Sequence, residues 1–245
     1  MVNLRNTSSI SVVELSSDAP AQADYTRLRD LIRNDIIQGR LKAGAKLKIA
    51  ELAQRYGLSA IPVREALQQL QGEGIVRFIA NRGASVRPID ENFIRDIHEI
   101  RALIEPFLIR WFVRHHSEDE LVALAQAQRD FDAAITAGDL SQNRQQNKVF
   151  HGICYDGHYN QEALTTAYRH NELIHALSDR FPRSRARAQA VSREHWAIVE
   201  AVRLQNEDEA SRLVCEHVRN SGQHLIEMMQ TASHRPQAID REPGD

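Results

Sequence analysis

No stretch of this sequence is apolar over the roughly eighteen or more residues that a membrane span requires. That absence argues against a membrane partner. Cysteine is nearly missing: Cys154 and Cys215 are the only two, they lie far apart, and neither sits in a redox motif. A disulfide framework is thereby excluded, and reduced thiols in a cytoplasmic protein are expected. The opening segment MVNLRNTSSISVVELSSDAPAQ has neither a basic stretch running into an apolar one nor a small-residue cleavage site, so residues 1–22 are expected to form a flexible arm. There is no HExxH, no P-loop and no dinucleotide fingerprint. The metal-dependent hydrolase, nucleotide hydrolase and dehydrogenase classes thus lose their usual sequence support, and no enzyme activity is expected.

Charge of one sign is also scarce over the whole chain, with a formal net charge of −2 across 245 residues. Dividing the chain near Pro88 changes that picture. Residues 21–87 carry twelve Lys/Arg against six Asp/Glu, about +6, which leaves the remainder near −8. A basic half of this kind suits phosphate contact, although charged residues also serve simply to solvate a surface.

Within the basic half, Leu28, Leu31, Ile32, Ile36 and Ile37 recur at helical spacing from Thr26 onward, and Gly39 is placed to end that helix. A second helix is predicted over Ile49–Tyr56, stopped by Gly57 in the left-handed conformation that glycine adopts cheaply. Ser59 then opens a third, with its hydroxyl expected to accept from the amides of the first turn; Pro62 is tolerated there because its missing N–H has no partner in that turn. Val63, Ala66, Leu67 and Leu70 make the buried stripe of this helix, which turns Ser59, Arg64 and Gln68 elsewhere. Two helices joined by a tight glycine turn form a helix-turn-helix. Beyond Gly74, IVRFI and ASVRPI alternate apolar and polar residues around the turn ANRG, which predicts a hairpin wing with Arg82 and Gly83 at its tip. Arg64, in the first turns of the recognition helix, could grip a guanine edge with both arms of its guanidinium; its alternative is a surface pair with Glu65 or Asp30.

The segments SAIPVREALQQLQGEGIV and NRGASV resemble the DNA-binding module of GntR-type regulators. The resemblance implies contact with double-stranded operator DNA by Ser59, Arg64, Arg82 and Gly83. Ala60 stands where the family usually has Arg, and Ala43 where Pro is frequent, so the operator sequence is expected to be unusual, with Lys48 available to compensate electrostatically.

From Asp90 onward Pro and Gly are sparse and capping signals recur, which predicts helices throughout. Asp90 is placed to cap Glu91–His115. Ser117 with Glu120 makes a capping box, and Ala137-Gly138-Asp139 makes a turn. The tail beyond Ser233 is expected to be frayed. Histidine placement is the informative feature. Asn147 and His151 are one turn apart on one helix face. His195 and His217 each lie eleven positions from Asn206. If the QNED stretch turns an antiparallel helix pair, those two rings meet, and three imidazoles with an amide oxygen could converge on one ion. Such a donor set suits Zn²⁺, Ni²⁺ or Mn²⁺. Against this, eleven histidines make chance spacings inevitable, as His217 and His224 illustrate.

NKVFHGI, REHWAIVEAV and EDEASRLVCEHV are similar to the ligand-binding (FCD) domain of the FadR branch of GntR regulators, which extends the resemblance over residues 25–229. The resemblance implies metal ligation by Asn147, His151, His195 and His217, with Asn147 in place of the commoner Asp and hence with weaker hold on a cation. A cation with open positions would attract a carboxylate, so the implied effector is a small organic or sugar acid. Arg101 matches an arginine common in the family and could clamp that carboxylate; its alternative is an i,i+4 pair with Glu105. A regulator whose pocket holds an acyl chain or neutral ligand without metal is the other reading, and a metal-dependent hydrolase the third. The expected architecture is mainly α: an arm (1–22), a winged helix-turn-helix with a small β-hairpin (23–88), an all-helical effector-binding and dimerisation domain (89–232) and a tail (233–245). The expected function is a homodimeric transcriptional repressor.

Overall fold

A computed structural model describes residues 19–79, 83–180 and 184–233. Helix α1 (Ala19–Ile37) starts inside the segment expected as an arm, then gives way at Gly39, whose φ of 75° is the left-handed stop foreseen there. Helices α2 (Ile49–Tyr56) and α3 (Ala60–Gly72) follow, joined through Gly57 with φ 67° and ψ 32°. Val63, Ala66, Leu67 and Leu70 are all buried against Leu28, Ile32, Ile36 and Ile37 of α1. Leu31 points outward instead, since α1 hides only the stripe that faces its packed neighbours.

The wing holds one more strand than the sequence indicates. Strand β2 (Val76–Ile79) pairs antiparallel with β3 (Gly83–Val86), and β1 (Lys46–Leu47) adds to the far edge of β3, giving the order β1-β3-β2. A two-residue strand is defined only by its partner, so periodicity does not reveal it. The alternation expected along IVRFI is also broken: Ile75 and Val76 are both buried, while Arg77, Phe78 and Ile79 are all exposed. Among the described residues nothing covers Phe78 and Ile79 at that end of the hairpin.

Six further helices follow among the described residues: α4 (Glu91–His115), α5 (Glu118–Ala137), α6 (Leu140–Tyr155), α7 (Gln161–Arg180), α8 (Arg185–Arg203) and α9 (Glu207–Ser233). Their starts are set locally. Asp90 accepts from Phe93 N at 2.9 Å, Ser117 and Glu120 cap each other, and Asp139 accepts from Gln142 N. Leu108, Ile109, Leu124, Phe150, Val202 and Val218 fill the bundle's own core. A second core is shared with the N-terminal module, because Phe93, Ile94 and Ile97 of α4, Leu173, Ile174 and Leu177 of α7, and Leu225 and Ile226 of α9 pack on the residues of α1 and α3. The two halves therefore meet over a packed apolar face and not only through the chain at residues 88–92.

Helices α4 and α9 run antiparallel, with Gln230 bonded to Glu91 at one end and Arg110 to Asp208 at the other. Between them Gly222 lets the backbones close in: a Cβ there would lie 2.6 Å from His98 Cγ and 2.9 Å from His98 Cβ. Ala is the better helix former by about 1 kcal/mol, but overpacking of this severity costs about 1–3 kcal/mol. The balance runs against alanine, so Gly222→Ala is expected to lower the unfolding free energy by up to ~2 kcal/mol, read as a lower urea midpoint. An unchanged or raised midpoint would show that His98 yields freely.

Candidate metal centre and nucleic-acid interface

The reading surface is carried by α3. Its N-cap residue Ser59 has extended φ and ψ as expected, but its hydroxyl makes no bond to the first turn, which corrects the capping role assigned to it. Arg64 is exposed and makes no ion pair or hydrogen bond among the described residues; Asp30, its expected rival partner, pairs with Arg29 and Arg33. Lys48 is less available, since its Nζ lies 2.7 Å from Glu51, although a pair this exposed holds weakly. Gly83 begins β3 at φ 78° with open space around it, so its backbone can come close to a neighbour. Arg82 lies outside the described residues. Ile61, 67% exposed on the first turn of α3, was not singled out in the sequence; an apolar residue off the buried stripe at that position was the available signal.

Behind this surface, two arginines tie α3 to its surroundings. Arg33 of α1 grips Glu73 with two nitrogens. Arg169 of α7 donates from Nη1 to the carbonyl of Gly72 at 2.9 Å, which occupies one of the acceptors that a helix end leaves free. The helical bundle therefore bonds directly to the end of the recognition helix.

Within the bundle, α6, α8 and α9 bring His151, His195 and His217 together. Their ring centroids lie 4.9–5.4 Å apart, and one ligand nitrogen from each falls within 4.8 Å of the others. Donor atoms around one bound ion are separated by about 3–4 Å, so small ring movements suffice. The turn at residues 204–206, where Gln205 takes φ 51°, is what lays α9 back on α8 and levels His195 with His217.

Two rings are oriented by partners that the sequence does not announce. His195 Nδ1 lies 2.8 Å from Gln128 Oε1, and the Gln128 amide is itself aimed by donating to Asp132 at 2.9 Å. A carbonyl oxygen can only accept, so the proton sits on Nδ1 and the lone pair on Nε2. His217 Nδ1 likewise faces Glu194 Oε2 at 2.7 Å, and Glu194 is held by Arg187 and Asn220. Burial alone would raise the Glu194 carboxyl, but the bonds from His217 and Arg187 outweigh it and bring it down to about 2. Phe150 stacks on His195 at 4.1 Å and fixes the ring plane. This is the way metal-ligating imidazoles are usually held. Asn147, one turn before His151, is buried, and its Oδ1 has no hydrogen-bond partner among the described residues. An orphaned buried acceptor one helical turn from a cluster of three imidazoles is what a cation site offers, so the residues present fit a divalent metal.

Next to the triad lies a layer of buried polar groups. Arg101 Nε donates to Glu105 at 2.7 Å, and Tyr155 donates to the other Glu105 oxygen at 3.1 Å. Arg101 thus takes up the pairing that stood as the alternative to an effector clamp, with Nη1 3.4 Å from His98 Nε2. Burial, then the charge of Arg101, push His98 down to about 3, and burial with Arg169 brings His170 to about 4, so both rings are neutral at ordinary pH. Cys154 and Cys215 are free thiols, and burial pushes Cys154 up. No helix among the described residues is long and apolar enough to cross a membrane.

Comparison with known proteins finds two family profiles along the chain. Residues 24–86 match the profile of bacterial regulatory proteins of the gntR family, and residues 96–220 match the FCD domain. An HTH-type transcriptional regulator of Bacillus subtilis (strain 168), YdhC, is 25% identical over 207 residues, covering 84% of this chain and 92% of its own. The gluconate operon transcriptional repressor of the same organism is 29% identical over 120 residues, 49% of each chain. Among solved structures, E. coli McbR/YncC has the same fold, with a TM-score of 0.62 at 17% identity over 85% of this chain and 98% of its own.

Proposed function

This chain belongs to the GntR family of DNA-binding transcriptional regulators, with an FCD domain behind its winged helix-turn-helix, and on that premise we propose that it is a homodimeric repressor released by a small organic acid. The acid binds beside a divalent cation held by Asn147, His151, His195 and His217. One observation carries the reading: three buried imidazoles meet next to an unsatisfied carboxamide oxygen, and two of them are turned so that a lone pair faces the others. The similarity to a repressor of a gluconate operon supports the sign of control.

When bound, the cation supplies a fixed positive charge for the effector's carboxylate. The chain's own residues do the rest. Gln128 and Glu194 orient the ligand rings, the aromatic walls exclude water, and α7 carries the response to α3 through Arg169. On the DNA side, Arg64 reads a base edge, while Ser59, Lys48, Gly83 and Arg82 make phosphate or groove contacts. A two-fold dimer then places two recognition helices on a pseudo-palindromic operator.

Fluorescence anisotropy with the duplex upstream of the chain's own gene tests this directly. Wild-type protein should bind with salt-sensitive affinity and be released by an organic acid. Arg64→Ala should cost about 1–3 kcal/mol of binding and relax preference at one base pair. Binding that is indifferent to salt, or unaltered in the variant, would remove Arg64 from the reading surface.

A further inference from the structure

The first turn of α3 carries no charge. Ala60, Ile61, Pro62 and Val63 occupy it, and of these only Val63 is buried. The inner stripe of Val63, Ala66, Leu67 and Leu70 is complete without Ile61, which leaves 67% of its surface open to solvent. A large aliphatic side chain held in water is unfavourable, and contact with an apolar partner relieves it.

The position of Ile61 on the helix says what that partner is. Ile61, Arg64 and Gln68 are three and four positions apart, so they share one face of α3, and all three are exposed. That face is turned away from the stripe packed on α1. At 1.5 Å of rise per residue, Ile61 lies about 4.5 Å along the axis from Arg64, close to the roughly 3.4 Å between successive base pairs. Two side chains so spaced on a helix in the major groove meet neighbouring base pairs. An isoleucine can neither hold a phosphate nor bond the polar edge of a base. The major groove also presents an apolar group, the 5-methyl of thymine, and that is what an aliphatic side chain can recognise. Branching at Cβ pins the Ile61 rotamer in a helix, so little freedom is lost when the contact forms.

We propose that Ile61 is a specificity-determining residue that reads thymine by packing on its 5-methyl group, within about two base pairs of the base held by Arg64. The inference rests on α3 being the recognition helix, and it names one base of the operator that the helix selects.

The test uses the full chain to select a duplex from a randomised pool. Each thymine of that duplex is then replaced in turn by deoxyuridine, which lacks only the 5-methyl, and affinity is read by fluorescence anisotropy at fixed salt. At one thymine near the Arg64-dependent position, wild-type protein should lose about fourfold in affinity, the worth of one buried methyl group. Ile61→Ala should bind the thymine duplex more weakly and no longer distinguish thymine from deoxyuridine there. Ile61→Val, which keeps a methyl at the contact, should still distinguish them. Crossing the base change with the residue change isolates the pairwise contact from any effect of uracil on the duplex itself. Salt-sensitive binding in which every deoxyuridine is tolerated overturns the proposal and leaves the recognition helix standing. A methyl effect of equal size in wild type and Ile61→Ala also overturns it, because another group then makes the contact. If the full chain selects no duplex at all, the DNA-reading assignment and this inference fall together.

Discussion

Methionine in place of Arg101 should lower stability by about 3–5 kcal/mol, measured by urea unfolding near neutral pH. The reason is Glu105, which has no exposed surface and whose carboxylate keeps only the Tyr155 hydroxyl once the guanidinium is gone. A buried charge stripped of its partner costs more than the pair was worth. The double change Arg101→Met with Glu105→Leu removes both charges and should recover most of the loss, as apolar replacements of buried pairs generally do. That double variant also separates the two roles open to Arg101. If it is stable and still responds to effector, the arginine is structural alone; if it is stable and unresponsive, the guanidinium also holds the acid's carboxylate. A single Arg101→Met variant as stable as wild type would contradict the buried pair itself.

His195→Ala should weaken metal binding by more than about a hundredfold, since even the loss of a residue that merely orients a ligand costs 10–100-fold. Plasma emission analysis should find about one divalent ion per wild-type chain and only traces in the variant. The thermal stabilisation given by an organic acid should disappear with the ion. Because His195 packs between Phe150 and Phe131, alanine also opens a cavity, so His195→Asn serves as a second variant that fills more of the space. Stoichiometric metal in both folded variants would mean that the ligand set is wrong.

Helix boundaries in both halves were legible wherever they are signalled within a few residues. Gly57 forces the turn, the 3.6-residue recurrence of Val63, Ala66, Leu67 and Leu70 marks the buried stripe, and Asp90 and Ser117 satisfy amides three positions ahead. Where local signals were weak, the reading slipped. Helix α1 begins at Ala19 rather than near Thr26, because the apolar recurrence that marks it in the sequence starts only at Leu28, and Ser59 occupies a cap position without making the cap bond. Phe78 fits the alternating pattern yet is exposed, since period alone cannot say whether a second layer lies over that face.

Spacing placed Asn147 beside His151 and put His195 and His217 at equal distances from a turn, which is as far as one-dimensional information reaches. Which nitrogen faces inward was decided for two of the three rings by Gln128, 67 positions before His195, and by Glu194, 23 before His217. The bond from Arg169 to Gly72 spans 97 positions. The sequence by itself determined the helices, their caps and the types of side chain available to bind DNA and a cation, because those depend on backbone geometry over a few residues. Only the tertiary structure decided the orientation of the imidazoles, the burial of the Arg101–Glu105 pair and the seating of the reading module on the bundle, because each requires distant segments to pack to within a hydrogen bond of one another.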